Sequence, residues 1–221
     1  MKEGMNEISM LQETLEIFRK GYYVKNGKTV RLKLSKEEVE EIRVFLPDDV
    51  KNYAESKAFY TEFMMGSRCA HGCENKDSFT LAGERLKNSG FSRDSAGILV
   101  LNMADPEHPG GSVREGTGAQ EEDLCRKSSL LFSLESKKAE KYYDYNKSLH
   151  TCMGSDALMI TPKVEIIRDE NGELLDETVT VSVLTCAAPR ISSGMEGMSK
   201  EEYEELFYNR IMGMLKCAAY F

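Results

Sequence analysis

The stretch that most constrains this chain is residues 97–103 (GILVLNM), a short and almost wholly apolar run. It leads directly into residues 104–118, a loop rich in glycine and proline. An apolar run this short, bounded by turn residues, reads as a central strand covered on both faces. It is far too short to cross a bilayer, and no other run in the chain approaches that length. A buried strand needs helices on either side, and the rest of the sequence supplies them.

Before the strand, Ile8, Leu11, Leu15 and Phe18 follow helical spacing and Gly21 stops the helix. Residues 22–34 predict a hairpin turning at Asn26-Gly27. Ser35, with Glu38 three residues on, opens a second helix as a capping box, and that helix ends before Pro47. A third helical stretch is expected over residues 50–64, and Ser78 caps another through Leu86. Beyond the strand, a helix is expected over residues 119–134, and strands over 157–160 and 164–167 on either side of Pro162. Asn171-Gly172 predicts a turn before an apolar strand over residues 179–186. Tyr203, Phe207, Ile211, Leu215 and Ala218 mark the apolar stripe of a last helix.

The expected fold is therefore α/β, with a mixed, largely parallel sheet between helices over residues 67–221. Residues 1–66 form an α-rich amino-terminal extension with a hairpin, and the two parts make one compact unit.

The net charge of −8 excludes non-specific nucleic-acid binding, which needs clustered cations. Lys137, Lys138 and Lys141 come closest to a basic run, but Glu135 and Glu140 interleave with them. A polyanionic ligand is then held locally, by backbone amides, or not at all. Residues 1–10 contain no apolar signal segment, so a cytoplasmic protein with free thiols at its six cysteines is expected. Cys69, His71 and Cys73 fall within five residues, but no second cluster completes a zinc site. We read them as incidental, and we read His108 and His150 as isolated and Met195, Met198, Met212 and Met214 as loop and core residues. Cys125 reads as a packed helix residue, since nearby acids raise a thiol's pKa.

Chemistry concentrates in the loop and the helix that follows it. Ligands of α/β folds bind beyond the carboxyl ends of strands, and glycines let a backbone approach a phosphate closely. Pro109, Gly110 and Gly111 suit that role, although Pro-Gly-Gly alone is equally a turn. Gln120, Glu121, Glu122 and Asp123 then open the helix. Acids there complement the helix dipole, which lowers their pKa, while mutual repulsion raises at least one; the residues alone leave the balance open.

Residues 101–131 read LNMADPEHPGGSVREGTGAQEEDLCRKSSLL. This stretch resembles the signature of bacterial-type poly(ADP-ribose) glycohydrolases, divergent macrodomains marked by a glycine triplet, a spacer of six to eight residues and Gln-Glu-Glu. Here Gly110-Gly111-Ser112 is followed by seven residues and then Gln120-Glu121-Glu122. The early Gln12-Glu13-Thr14-Leu15 and Gly21-Tyr22-Tyr23 resemble the family too, so the likeness covers nearly the whole chain. It implies that Glu122 is the acid and base that cleaves the ribose O-glycosidic bond of poly(ADP-ribose) or ADP-ribosylated targets, with Glu121 and Asn102 on the distal ribose. It implies further that Pro109, Gly110, Gly111 and Ser112 line the diphosphate and ribose, and that Gln120 orients loop and helix. The ligand is then ADP-ribose or poly(ADP-ribose), with no cofactor, no metal, no membrane and a monomeric chain.

Two departures stand out. Ser112 occupies the triplet's third glycine position, which matters if that position needs a positive φ. The family also continues past its last helix with a further strand and a second glycine-rich loop around the diphosphate, whereas this sequence stops at Phe221. The alternative to an enzyme is therefore a module that binds ADP-ribose without cleaving it. Isothermal titration should give weaker ADP-ribose binding than a full-length relative; equal affinity would mean that the second loop is dispensable.

Overall fold

The computed structural model describes residues 6–54, 72–88, 97–151, 153–190 and 197–220. Helix α1 (Glu7–Lys20) starts where Asn6 Oδ1 accepts the Ser9 amide at 2.7 Å, and it ends at Gly21 in the left-handed region, φ +76°. Strands β1 (Tyr22–Lys25) and β2 (Lys28–Arg31) form the expected hairpin, with Asn26 and Gly27 both at positive φ. Two such residues in succession give the turn whose twist matches the strands it joins.

Helix α2 (Lys36–Val39) has the expected capping box of Ser35 and Glu38, but it lasts a single turn. The chain then forms β3 (Arg43–Phe45), which the sequence reading did not anticipate, and Pro47 opens α3 (Pro47–Ala54) instead of ending a helix. Proline suits a first helical turn, because its missing N–H has no partner to lose there. The expected continuation of this helix to residue 64 lies outside the described residues, as do Cys69 and His71. Helix α4 (Ser78–Asn88) is capped by Asp77, whose Oδ1 accepts the amides of Phe79 and Thr80, rather than by Ser78. Adjacent Asp and Ser are both good caps, so the sequence marks the start only to within a residue.

Strand β4 (Leu99–Met103) is the expected apolar strand. After a short 3-10 turn (Val113–Glu115), the expected single helix is two, α5 (Gln120–Lys127) and α6 (Leu130–Leu134). Ser128 between them is extended, bridging to Ile166, and the Ser129 amide donates to Glu165 O at 3.0 Å. A neighbouring strand thus takes the backbone groups that a continuous helix would have used. Helix α7 (Glu140–Ser148) follows, in a stretch whose interleaved charges masked Tyr142 and Tyr143 as a buried pair.

Strands β5 (Leu158–Arg168) and β6 (Leu174–Cys186) form a long antiparallel hairpin around Gly172. Pro162 does not divide β5; the register shifts between Thr161 and Val164, and Pro162 O accepts the Ser182 hydroxyl at 2.8 Å. A proline within a paired strand needs such an irregularity, since it has no ladder donor. The sheet order is β3-β5-β6-β4. The sheet is mixed as expected, but among the described residues only β4 and β6 pair in parallel. The short turn at Gly172 explains this, because a tight hairpin can join only antiparallel strands.

Helices α1 and α4–α7 cover one face of this sheet around Met159, Val164, Val181 and Val183. On the other face, α3 and α8 (Lys200–Tyr220) pack against Leu158, Ile160 and Leu184. The expected stripe of α8 is rotated partly away from the core: Phe207 and Leu215 are exposed and Ala218 packs against it, while Arg210 and Cys217 are buried. Arg210 sets this rotation by donating to Met153 O at 2.7 Å and Ala187 O at 3.1 Å and pairing with Asp156. Among the described residues, no helix is long and apolar enough to cross a membrane.

A buried polar knot ties α1 to α5. The Thr14 hydroxyl donates to Arg126 O at 2.6 Å and accepts from Arg168 Nε at 3.1 Å. Arg168 also pairs with Glu13 and donates to Gly172 O, while Arg126 pairs with Glu7 and donates to Thr117 O at 2.7 Å. Thr14→Val keeps the shape and strands both partners of the hydroxyl, at a cost of about 1–3 kcal/mol. Urea unfolding should show a lower midpoint at unchanged slope; an unmoved midpoint would mean that the knot adds no stability.

Candidate active site

The site forms where β4 and β6, running in parallel, both end at the same edge of the sheet. Three consecutive side chains at the start of α5 each bond to the strand or to the loop that follows it. The Gln120 amide works as a surrogate peptide group: Oε1 accepts from Met103 N at 2.8 Å and Nε2 donates to Leu101 O at 2.7 Å. It thus meets two backbone groups on the side of β4 away from β6. Glu121 Oε2 accepts the Asp105 amide at 2.7 Å, and its Oε1 accepts from Asn102 Nδ2 at 3.2 Å. Glu122 Oε1 accepts the Ser112 amide at 3.1 Å.

The glycine turn is shaped around these carboxyls. Gly110 and Gly111 sit at φ +71° and +56°. A Cβ on Gly111 would lie 2.6 Å from Glu122 Oε1 and 3.3 Å from Glu121 Oε2, so the turn needs both the dihedral freedom and the missing side chain. Gly110 faces away from the acids, against Leu131, Val113 and Cys125. Ser112 has φ −98°, ordinary for any residue, so serine in the third position costs the turn nothing.

A cleft of about 350 Å³ opens beside the turn, walled by Gly111, Ser112, Glu121, Glu122 and the ends of β4 and β6. Asn102 is fully buried behind it and spans the two parallel strands through Thr185 at 3.3 Å; its Oδ1 lacks a partner. Pro109 is half-buried and Gln120 braces the strand; neither belongs to the cleft wall, and His108 is exposed. Two charged wall residues escaped the sequence reading. Asp105 Oδ1 accepts the amides of Glu107 and His108, and its Oδ2 accepts from Arg190 Nη2 at 2.6 Å. A turn-forming aspartate two residues past a strand was a legible signal for the first. Arg190, far off in sequence, gave none.

Burial dominates the electrostatics. Glu121 is 3% exposed, and burial pushes its pKa up to about 8. The Asp105 amide and Asn102 pull it down, while the charges of Asp105 and Glu122 push it further up. Repulsion between the acids, weighed in the sequence, is thus the lesser cause. Asp105 goes the other way: burial raises it, but the two turn amides and Arg190 together hold it below the usual carboxylate range. Burial, then the charges of Glu121 and Glu122, push the fully buried Cys125 thiol far up, which removes it as a nucleophile. Among the described residues, no group of His, Cys, Asp and Glu is arranged to hold a metal.

The family model for the microbial-type PARG catalytic domain matches residues 11–169. Solved structures resemble the fold across most of the chain. The poly(ADP-ribose) glycohydrolase of Thermomonospora curvata bound to the inhibitor ADP-HPD is 27% identical, with a TM-score of 0.78 over 97% of this chain and 74% of that one. The enzyme of Deinococcus radiodurans in complex with ADP-ribose is 31% identical, with a TM-score of 0.69 over 86% of this chain and 73% of that one. A comparison with curated proteins found no match. Since that family model spans well over half of its residues, this chain belongs to the microbial-type PARG catalytic-domain family.

Proposed function

We propose that this chain is a poly(ADP-ribose) glycohydrolase that releases ADP-ribose by hydrolysing a ribose O-glycosidic bond, with Glu122 as the group that moves the proton. The observation that carries this reading is the placement of the Glu122 carboxyl, 6% exposed, against the Gly111–Ser112 backbone in the wall of a cleft. In that position a carboxyl shielded from bulk water meets a ligand gripped by the turn.

The bond from the anomeric carbon to the leaving ribose oxygen breaks as Glu122 gives that oxygen its proton. The ribose is left as an oxocarbenium-like cation. Water then adds to the anomeric carbon and returns a proton to Glu122, so the enzyme ends as it began. One carboxyl does the work that two share in most glycosidases. Glu121 and Asn102 are assigned to the distal ribose hydroxyls, Asn102 from its buried place bonded to Glu121 Oε1 at 3.2 Å. Residues Pro109, Gly110, Gly111 and Ser112 form the turn that lies along the ribose and diphosphate, and Gln120 keeps α5 in register with β4. The free thiols at Cys73, Cys125, Cys186 and Cys217 accord with a reducing, cytoplasmic setting.

One observation favours a second reading. With a pKa near 8, Glu121 keeps its proton at neutral pH and is itself a candidate donor. Substitution separates the two. Glu122→Gln should lower kcat for ADP-ribose release about 10²–10⁴-fold while ADP-ribose still binds. Glu121→Gln, which imitates a neutral carboxyl, should chiefly raise KM. The reverse pattern would exchange the roles, and binding by wild type without release would leave a reader module.

The pH dependence follows from the same group. The folded chain holds the Glu121 proton from near pH 4.5, where a free carboxyl titrates, up to about 8. The stability this contributes is complete below the lower value and lost as pH rises through the upper one. Urea midpoints at pH 5 and pH 9 should fall further for wild type than for Glu121→Gln; parallel falls would place the proton elsewhere.

A further inference from the structure

The cleft is an awkward receptor for a diphosphate. Its described wall carries three carboxyls, Asp105, Glu121 and Glu122, in a chain whose net charge is already −8. Arg190 is the one cationic side chain among the described residues of that wall. It follows β6 at the edge where β4 also ends, so its guanidinium faces the loop that leads into the glycine turn.

Asp105 is one of its anchors. Oδ2 of Asp105 takes Arg190 Nη2 at 2.6 Å, Oδ1 takes the amides that shape the approach to the glycine turn, and the Asp105 N–H bonds Glu121 at 2.7 Å. One aspartate therefore sets the spacing between the cation, the turn and the acidic helix. The Arg190 side chain is about half exposed, and the residue lines the cleft. Five N–H donors in a planar fork allow a guanidinium to keep a carboxylate partner while meeting phosphate oxygens, a geometry that an ammonium lacks.

We propose that Arg190 is a ligand-binding residue: tethered by Asp105, it receives the diphosphate of the bound nucleotide and offsets the carboxyls around it. The proposal rests on the cleft being an ADP-ribose site. Arg190 touches no reacting bond, so its contribution appears in binding and leaves the bond-breaking step alone.

Titration calorimetry with ADP-ribose and steady-state release of ADP-ribose test this together. Arg190→Ala should weaken binding and raise KM about ten- to a hundredfold, the range for a lost charged hydrogen bond, with kcat changed only a few-fold. Its Kd should respond less to added salt than that of wild type, because a charge contact screened by salt is gone. Arg190→Lys should recover the salt response and part of the affinity. Equal loss in kcat and KM, or an unaltered salt response, would make Arg190 a brace for the loop and overturn the proposal. Unchanged affinity in Arg190→Ala, with a folded protein by circular dichroism, would overturn it as well. Absence of ADP-ribose binding by wild type would instead overturn the reading of the cleft, and this assignment with it.

Discussion

The site depends on a helix whose first turn is bonded to the strand before it. Gln120, Glu121 and Glu122 satisfy, in order, the edge of β4, the Asp105 amide of the loop and the Ser112 amide of the glycine turn. Each bond joins a side chain on α5 to a backbone group 10–19 residues earlier. The loop between them is long, glycine-rich and entropically costly to order. With both ends and its middle held by one helical turn, it behaves as part of the sheet edge.

This arrangement explains a charge pattern that is otherwise unfavourable. Carboxyls buried at a strand end are penalised by lost hydration. Glu121 answers by keeping its proton, even though two hydrogen bonds favour the anion. Asp105, whose own amide bonds Glu121 at 2.7 Å, answers by gathering two amides and a guanidinium. Two acids in one cleft are thereby driven to opposite protonation states at neutral pH. That separation lets one offer a hydrogen while the other anchors a cation.

The α1 helix takes part in the same construction from a distance. Through Thr14, Arg168 and Arg126 it grips both the carboxyl end of α5 and Thr117 in the loop before it. The amino-terminal segment also supplies β3 to the main sheet, so it bears directly on the body that holds the site. The alternation of apolar and polar residues around Val44 was too brief to show this. A strand of three residues is defined by its partner, and the partner lies more than a hundred positions away.

What the sequence determined by itself was local: the cap and stop of α1, the Asn26-Gly27 turn, the apolar strand β4 and the spacing from glycine turn to paired acids. These depend on φ preferences, capping chemistry and periodicity, each complete within a few residues. The break at Ser128, the rotation of α8 about Arg210, the antiparallel pairing of β3 with β5 and the Asp105–Arg190 pair were decided by tertiary structure alone. In each of these a backbone or charged group chose among partners that folding brings together, and local preference carries no information about that choice. The proton on Glu121 belongs with them, since its cause is burial, and burial is a property of the packed chain.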